Sequence, residues 1–574
     1  MRQRLVVAVV VLCAAAPAHA LAPAGRRGLV VAGKVPAAEA GAELLRAGGN
    51  AVDAAVGAAF VLAVCEQHSS GLGGGGFATV RVGGQLHFLD FREVAPKAAQ
   101  RDMFVRDGRV DPRLSVDGPL AAGVPGAAAG YLELLARYGK LPRARVLAPA
   151  IALAEKGFEV DPRFRAAVVE RLDVLRTDPE AAALLLVTPP GGGPPGPPPL
   201  GHRIVQRDLA RVLRALASAG ASEFYRGDTA RRLAADMARR HGLVTLEDLA
   251  AYRVRERQPL VGSFRGLTVV TAPPPSSGGV IVLTLLNALE TLPAGTRWHD
   301  LGALRLYLEI SKSAFADREL LGDPDFVPDP TSALVDKARV ARLMARLGER
   351  ARPARDVPAG EATPLERATP RGPAPERQHT TNIAAIDAAG DAVALTSTVN
   401  YVWGAAIVAR GTGIVWNDEM DDFATAPGMP NVYAIVGSEE NAVAPGKVPL
   451  STMSPTLVLD GPTVAAPVRM IVGGAGGPRI ATAVTEIIVN HLLYGADVQQ
   501  AVTLGRVRHQ HLPDVVLVEP FGLDPATAAG LRALGYEVKD EAYGGIANAI
   551  AVVPPDGVRT GYPDPRGDGA AVAE

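Results

Sequence analysis

Two adjacent threonines, Thr380 and Thr381, follow His379 and open a short β-run. Beyond a turn at 388–391, a second β-run carries Thr396, Thr398 and Asn400 on one face, because strand side chains alternate. A β-hairpin with a polar face accounts for these residues taken alone, since threonine is a favoured strand residue. Other chemically able groups are spread along the chain. Arg92 closes a strand-like segment, either as a solvated arginine or as a planar fork that grips a carboxylate through two bonds. The loop Asn417-Asp-Glu-Met-Asp-Asp-Phe423 gathers acids, and Pro449-Leu-Ser-Thr-Met-Ser-Pro455 gathers hydroxyls. Gly473-Gly-Ala-Gly-Gly-Pro-Arg479 sets glycine amides before an apolar helical stretch, a plain strand-to-helix turn or a cradle for an anion or oxyanion.

Elimination narrows the chemistry. No serine has glycine two residues away on both sides, so the nucleophile elbow is absent. The ten histidines form no HExxH, and His509-Gln510-His511 lacks partners at ligand spacing, so no metal is expected. Ser69-Ser-Gly-Leu-Gly-Gly-Gly-Gly-Phe77 satisfies G-x-G-x-x-G but follows a helical pattern and precedes a strand, the reverse of the dinucleotide order. Its glycines read as a place where backbones approach closely. Cys65 ends an apolar helix and reads as core. What remains is a threonine nucleophile activated by its own α-amine. That chemistry requires the His379–Thr380 peptide to be cut. Nothing points to an organic cofactor.

The elements that must position these groups follow from periodicity. Helices are expected at 37–47 and 51–65, with Gly48-Gly49 closing the first and Asn50 capping the second. The second is apolar nearly all round, which argues for burial between layers. Strands at 77–82 and 85–91 flank a Gly83-Gly84 turn. Residues 121–250 are mainly helical, including 127–138, 146–156 and 209–219, with a Pro-Gly loop at 188–200. A strand at 267–271 leads into Ala272-Pro-Pro-Pro-Ser-Ser-Gly-Gly-Val280, and a β-run at 470–472 precedes the Gly-rich turn. The Arg-, Pro- and Ala-rich stretch 349–378 is expected to be a mobile surface segment.

Arg2 and Arg4, an apolar run at 5–16 and Ala18-His19-Ala20 form an export signal over 1–20, so an exported, periplasmic or secreted protein starting near Leu21 is expected. Cys65 is then the single cysteine of the mature chain, and the apolar run is too short to span a bilayer. With 59 basic against 60 acidic residues, no global field favours nucleic acid, and a small molecule or peptide is the expected partner. At 574 residues and 48% hydrophobic content, the chain can bury a large core.

Several of these motifs together resemble the γ-glutamyltranspeptidases, members of the N-terminal-nucleophile hydrolases. The matching pieces are 48–55, Ser70-Gly-Leu-Gly-Gly-Gly-Gly-Phe77, Phe91-Arg-Glu93, Pro273-Pro-Pro-Ser-Ser-Gly-Gly279, Phe315-Ala-Asp-Arg318, Met420-Asp-Asp-Phe423, 449–456, Gly476-Gly477 and Asp564-Pro-Arg566. The resemblance implies an α/β fold, a four-layered αββα sandwich, made as a precursor that cleaves itself before Thr380. Large and small subunits would then span 21–379 and 380–574 and pair as a heterodimer. It further implies Thr380 as nucleophile, Thr398 as its hydrogen-bond partner, and Gly476 and Gly477 as the oxyanion hole. Arg92, Ser451 and Thr452 would grip the substrate's α-carboxylate, and Asn400, Glu419 and Asp422 its α-amino end. The acyl group would pass from a γ-glutamyl compound such as glutathione to water, an amino acid or a peptide. The stretch 427–443 resembles a lid loop, with Tyr433 as its covering aromatic.

The chain departs from the family pattern at Asn382, Ala384, Thr452, Trp403 and 544–548, none of which removes a catalytic group. Two other readings are a glutaryl-type acylase on the same fold and an exported binding protein with a dead site.

Overall fold

The computed structural model describes residues 22–293, 295–297, 300–360, 380–425 and 430–574. The expected export signal at 1–20, His379, the stretch 361–378 and residues 427–429 of the segment that resembles a lid loop lie outside them.

Two seven-stranded sheets form the centre. One runs in the order Ala570–Ala573, Leu29–Ala32, Thr381–Ile386, Ala392–Thr398, Gly75–Val82, Gln85–Asp90, Arg255–Arg257. The other runs Ala24–Gly25, Val558–Tyr562, Ile546–Val553, Val468–Ala475, Thr456–Leu459, Leu267–Thr271, Leu260–Phe264. The threonine hairpin is central in the first sheet, paired Thr381 to Ser397 through Ile386 to Ala392. It is flanked by Leu29–Ala32 and Gly75–Val82.

Strand alternation sorts its side chains into two cores. Ala384, Ile386, Ala392 and Ala394 meet Ile471, Leu457 and Ile550 of the other sheet. Ile383, Ala385, Val393 and Leu395 face outward against the helices Val35–Arg46 and Ala51–Cys65. On the far side, Met470, Val472, Ala547 and Ala549 pack under the helices Gly278–Leu289, Leu301–Ala316 and Arg479–Leu492. The layers are therefore αββα, as expected.

Local signals explain the main elements. Asn50 and Asp53 form a reciprocal capping box at the start of Ala51–Cys65, every residue of which is buried. Asp387, in the hairpin turn, accepts from Ala51 N at 3.1 Å and so ties the nucleophile hairpin to that helix. Gly83 and Gly84 both take positive φ, as their two-residue turn requires.

Two expectations need correction. Of the stretch 349–378 expected to be mobile, the described part, 349–360, is anchored. Ala354–Asp356 forms a 3₁₀ turn whose Ala354 is buried and donates to Asp514 Oδ2 at 2.7 Å, and Gly360 N donates to Asp317 Oδ1 at 2.7 Å. Asn400 does not continue the strand face of Thr396 and Thr398. The strand ends at Thr398, and Asn400 sits at φ 74°, where the polar side chain of asparagine is tolerated. Among the described residues, no helix is long and apolar enough to cross a membrane.

Candidate active site

Thr380 is half-buried at the head of its strand, and its Oγ1 lies 3.1 Å from Thr398 Oγ1 across the hairpin. Thr398 Oγ1 also accepts from Asn400 N at 2.9 Å. Either hydroxyl can be the donor in the contact between the two threonines. The glycine-rich segment makes this junction possible. A Cβ on Gly74 would stand 2.0 Å from Thr398 O, and one on Gly73 would stand 1.9 Å from Val415 O, so both backbones approach closer than any side chain allows.

The acidic loop is tied to the same place. Asn417 donates through Nδ2 to Gly73 O at 2.7 Å and accepts at Oδ1 from Gly123 N and Glu419 N. Glu419–Asp422 follows as a 3₁₀ turn beneath the cleft. Asn400 Nδ2 donates to Asp418 O at 3.0 Å, and Tyr433 Oη donates to Asn400 O at 2.7 Å.

Arg92 is fully buried and faces two acids. Nη2 donates to Asp422 Oδ2, Nε donates to Pro449 O at 2.9 Å, and Nη1 stands 2.5 Å from Glu419 Oε1 as an ion pair. Burial works against the guanidinium charge, but Glu419, Asp422 and Glu93 outweigh it and hold its pKa above the usual range. For Glu419, burial wins over the attraction of Arg92 and pushes the carboxyl up to about 7.

Arg318 was not expected among the site residues. It lines the cleft, yet Nη1 donates to Ser277 Oγ at 2.7 Å and Ser451 O at 2.9 Å, and Nη2 donates to Leu450 O at 3.2 Å. Ser276 Oγ adds a bond to Met453 O at 2.7 Å. These groups fix the backbone of the Ser451-Thr452 loop and so tie the Pro273–Gly279 and Phe315–Arg318 segments to the site. The signal was in the sequence, but as scaffold.

Gly476 and Gly477, at φ 134° and 55°, turn the chain from the strand Val468–Ala475 into the helix Arg479–Leu492. Neither amide donates to an acceptor among the described residues. Both amides lie just before the first residue of that helix, at its positive end.

A narrow cleft joins these parts. Arg92, Thr380, Thr398, Asn400, Glu419, Asp422, Tyr433, Ser451, Thr452 and Gly477 all line it, with Arg318 and the apolar walls Ile435, Met453 and Ile480. Gly476 adjoins it through Gly477. Its charges are two guanidiniums facing two carboxylates, a pattern that suits a zwitterion better than an anion or a cation. Asn431, also unexpected, holds the lid down by donating to Asp422 Oδ1 at 3.3 Å. A larger surface cleft, around Gln206 and Ala409, contains none of these residues.

Comparison with known proteins agrees with this geometry. The chain is 40% identical to a glutathione hydrolase proenzyme of Pseudomonas aeruginosa, over 98% of this chain and 97% of that protein. It is 39% identical to a glutathione hydrolase proenzyme of Escherichia coli, over 94% and 90% respectively. Among solved structures, a cephalosporin acylase from Bacillus halodurans superposes with a TM-score of 0.83 at 27% identity, covering 98% of each chain. The γ-glutamyltranspeptidase family model matches residues 37–574, and the chain belongs to that family.

Proposed function

We propose that the protein is a self-processing γ-glutamyl hydrolase and transpeptidase acting on glutathione and related γ-glutamyl compounds. The observation that carries this reading is the Thr380–Thr398 hydroxyl contact opening onto a cleft that holds Arg92 against Glu419 and Asp422. An export signal at 1–20 is removed, and cleavage before Thr380 yields subunits 21–379 and 380–574, which stay together as a heterodimer outside the cytoplasm.

Cleavage frees the Thr380 α-amine, which takes the proton of Thr380 Oγ1 as that oxygen attacks the substrate's γ-carbonyl. The oxyanion forms against the Gly476 and Gly477 amides, which supply donors where charge develops. The C–N bond then breaks, the leaving amine takes the proton back, and a γ-glutamyl ester remains on Thr380. Water or an amino acid amine attacks that ester and regenerates the hydroxyl. The α-carboxylate is held by Arg92, Ser451 and Thr452, and the α-ammonium by Asn400, Glu419 and Asp422.

The test compares two anilides. Purified protein is expected to run as two fragments on a denaturing gel and to hydrolyse γ-glutamyl anilide well ahead of glutaryl anilide, which lacks the α-amine. Equal rates would favour the acylase reading, and a single full-length band without hydrolysis the dead-site reading.

The Glu419 carboxyl gives a pH signature. Because its pKa is raised to about 7, it is neutral below that pH and cannot hold an ammonium by charge. KM for γ-glutamyl anilide is therefore expected to rise up to about tenfold between pH 8 and pH 6, while KM for glutaryl anilide stays flat. A KM that falls with pH contradicts this assignment. Tyr433→Phe removes the bond to Asn400 O and is expected to raise KM by about fivefold, the size of one lost neutral hydrogen bond. Steady-state kinetics at fixed pH read this directly.

A further inference from the structure

The residue beside Arg92 carries a charge that the reaction above does not use. Glu93 is fully buried, and neither of its carboxyl oxygens receives a hydrogen bond from another residue. Its place is built for it: a Cβ on Gly75 would stand 2.4 Å from Glu93 Oε2, and one on Gly123 would stand 3.0 Å from Glu93 Cβ. Three phenols surround it, but each spends its proton elsewhere. Tyr131 Oη donates to Ser397 Oγ at 2.6 Å, Tyr225 Oη to Pro125 O at 2.9 Å, and Tyr252 Oη to Arg92 O at 2.9 Å. The remaining neighbours are Arg92 and the Glu419 carboxyl, which lies within hydrogen-bonding contact. Glu419 oxygens likewise receive no aligned hydrogen bond, and that side chain faces Arg92, Asp422, Asp418 and Tyr433.

Two buried carboxyls in contact, beside one guanidinium already bonded to Asp422, cannot both be ionised. We propose that Glu93 is a positioning residue that carries a proton and donates it to Glu419, keeping the Glu419 carboxylate charged and turned to receive the substrate's α-ammonium. Burial and the Glu419 charge both raise the Glu93 pKa well above the ordinary range, consistent with Glu93 as the proton's owner. The proposal rests on the γ-glutamyl reading and adds to it the source of selectivity for an α-amino group.

The experiment uses two variants of the whole protein and two ligand pairs. Glu93→Gln keeps shape and supplies a permanent N–H donor, whereas Glu93→Met keeps volume without a donor. Calorimetric binding of L-glutamate is compared with glutarate, and kcat/KM for γ-glutamyl anilide with that for glutaryl anilide. Glu93→Met is expected to lose about tenfold of the preference for the amino-bearing ligand in both pairs, with the glutaryl compounds changed by less than about threefold. Glu93→Gln is expected to retain the preference within about threefold. Equal loss on both members of a pair, an unchanged preference in Glu93→Met, or a tenfold loss in Glu93→Gln overturns the proposal. The Glu93→Gln arm decides alone if Glu93→Met does not fold. A parent that binds glutamate no better than glutarate removes the γ-glutamyl reading as well, whereas a selective parent beside an equally selective Glu93→Met removes this proposal only.

Discussion

Thr380→Ala is expected to stay a single full-length chain on a denaturing gel and to hydrolyse γ-glutamyl anilide more than about 10⁴-fold more slowly than the parent. Both effects have one cause. Self-cleavage and substrate attack each need the same oxygen, and Thr398 Oγ1, 3.1 Å away, is left with no hydroxyl to orient. Thr398 is not a substitute nucleophile, because its nitrogen is locked in the Ser397–Thr398 peptide bond inside the paired strand Ala392–Thr398. The substitution should leave the fold intact. Thr380 lies before the first paired residue, Thr381, and contributes no side chain to either core. A thermal midpoint within a few degrees of the parent would show that the loss is chemical. Thr380→Ser, which keeps the oxygen, should still yield two fragments. If Thr380→Ala also yields two fragments at the same place, Thr380 is not the cleaving nucleophile.

The parts of this site legible in the sequence were those set by local rules. Alternation placed Thr396 and Thr398 on one face, the Asn50 and Asp53 spacing gave the capping box, and the order helix-glycines-strand ruled out a dinucleotide turn. The close approach read into 69–77 was also correct in kind, but which backbones meet there was not readable. Gly74 touches Thr398 O, more than three hundred positions away, and only sheet order decides that pairing. Arg318 was missed as a site residue for a related reason. Its partners are main-chain carbonyls of Leu450 and Ser451, and carbonyls leave no trace in residue types. Residues 349–360 looked like an unanchored stretch because composition cannot see Asp514 and Asp317, the two acids that accept from its amides. Asn400 escaped the alternation rule because the strand stops two residues earlier, and the left-handed turn that follows is what delivers its amide to Thr398 Oγ1.

Arg92 is the residue on which binding and stability pull together, so Arg92→Ala should show in both. Without a ligand its guanidinium serves Glu419 and Asp422, and a substrate α-carboxylate would enter beside those bonds. Removing it would take away the proposed bidentate grip and the cation beside buried Glu419 and half-buried Asp422, and Glu419 already needs a pH near 7 to ionise. KM for γ-glutamyl anilide is expected to rise by about 10²-fold or more, with a much smaller change in kcat, since the lost contacts hold ground state and transition state alike. Glu419 should then hold its proton to higher pH, because the Arg92 charge that favours its ionised form is gone. The folded pKa of Glu419 moves further above the unfolded one, so the variant loses stability as pH rises through neutrality, relative to the parent. Arg92→Lys separates charge from geometry: an ammonium still neutralises the acids, so stability should recover, but a point charge cannot fork, so KM should stay raised by about tenfold. Measuring KM and thermal midpoints for both variants at pH 6 and pH 8 tests the two halves separately. An unchanged KM in Arg92→Ala would take Arg92 out of the carboxylate site, and a midpoint difference between the two pH values no larger than the parent's would mean that Glu419 does not depend on it for its charge.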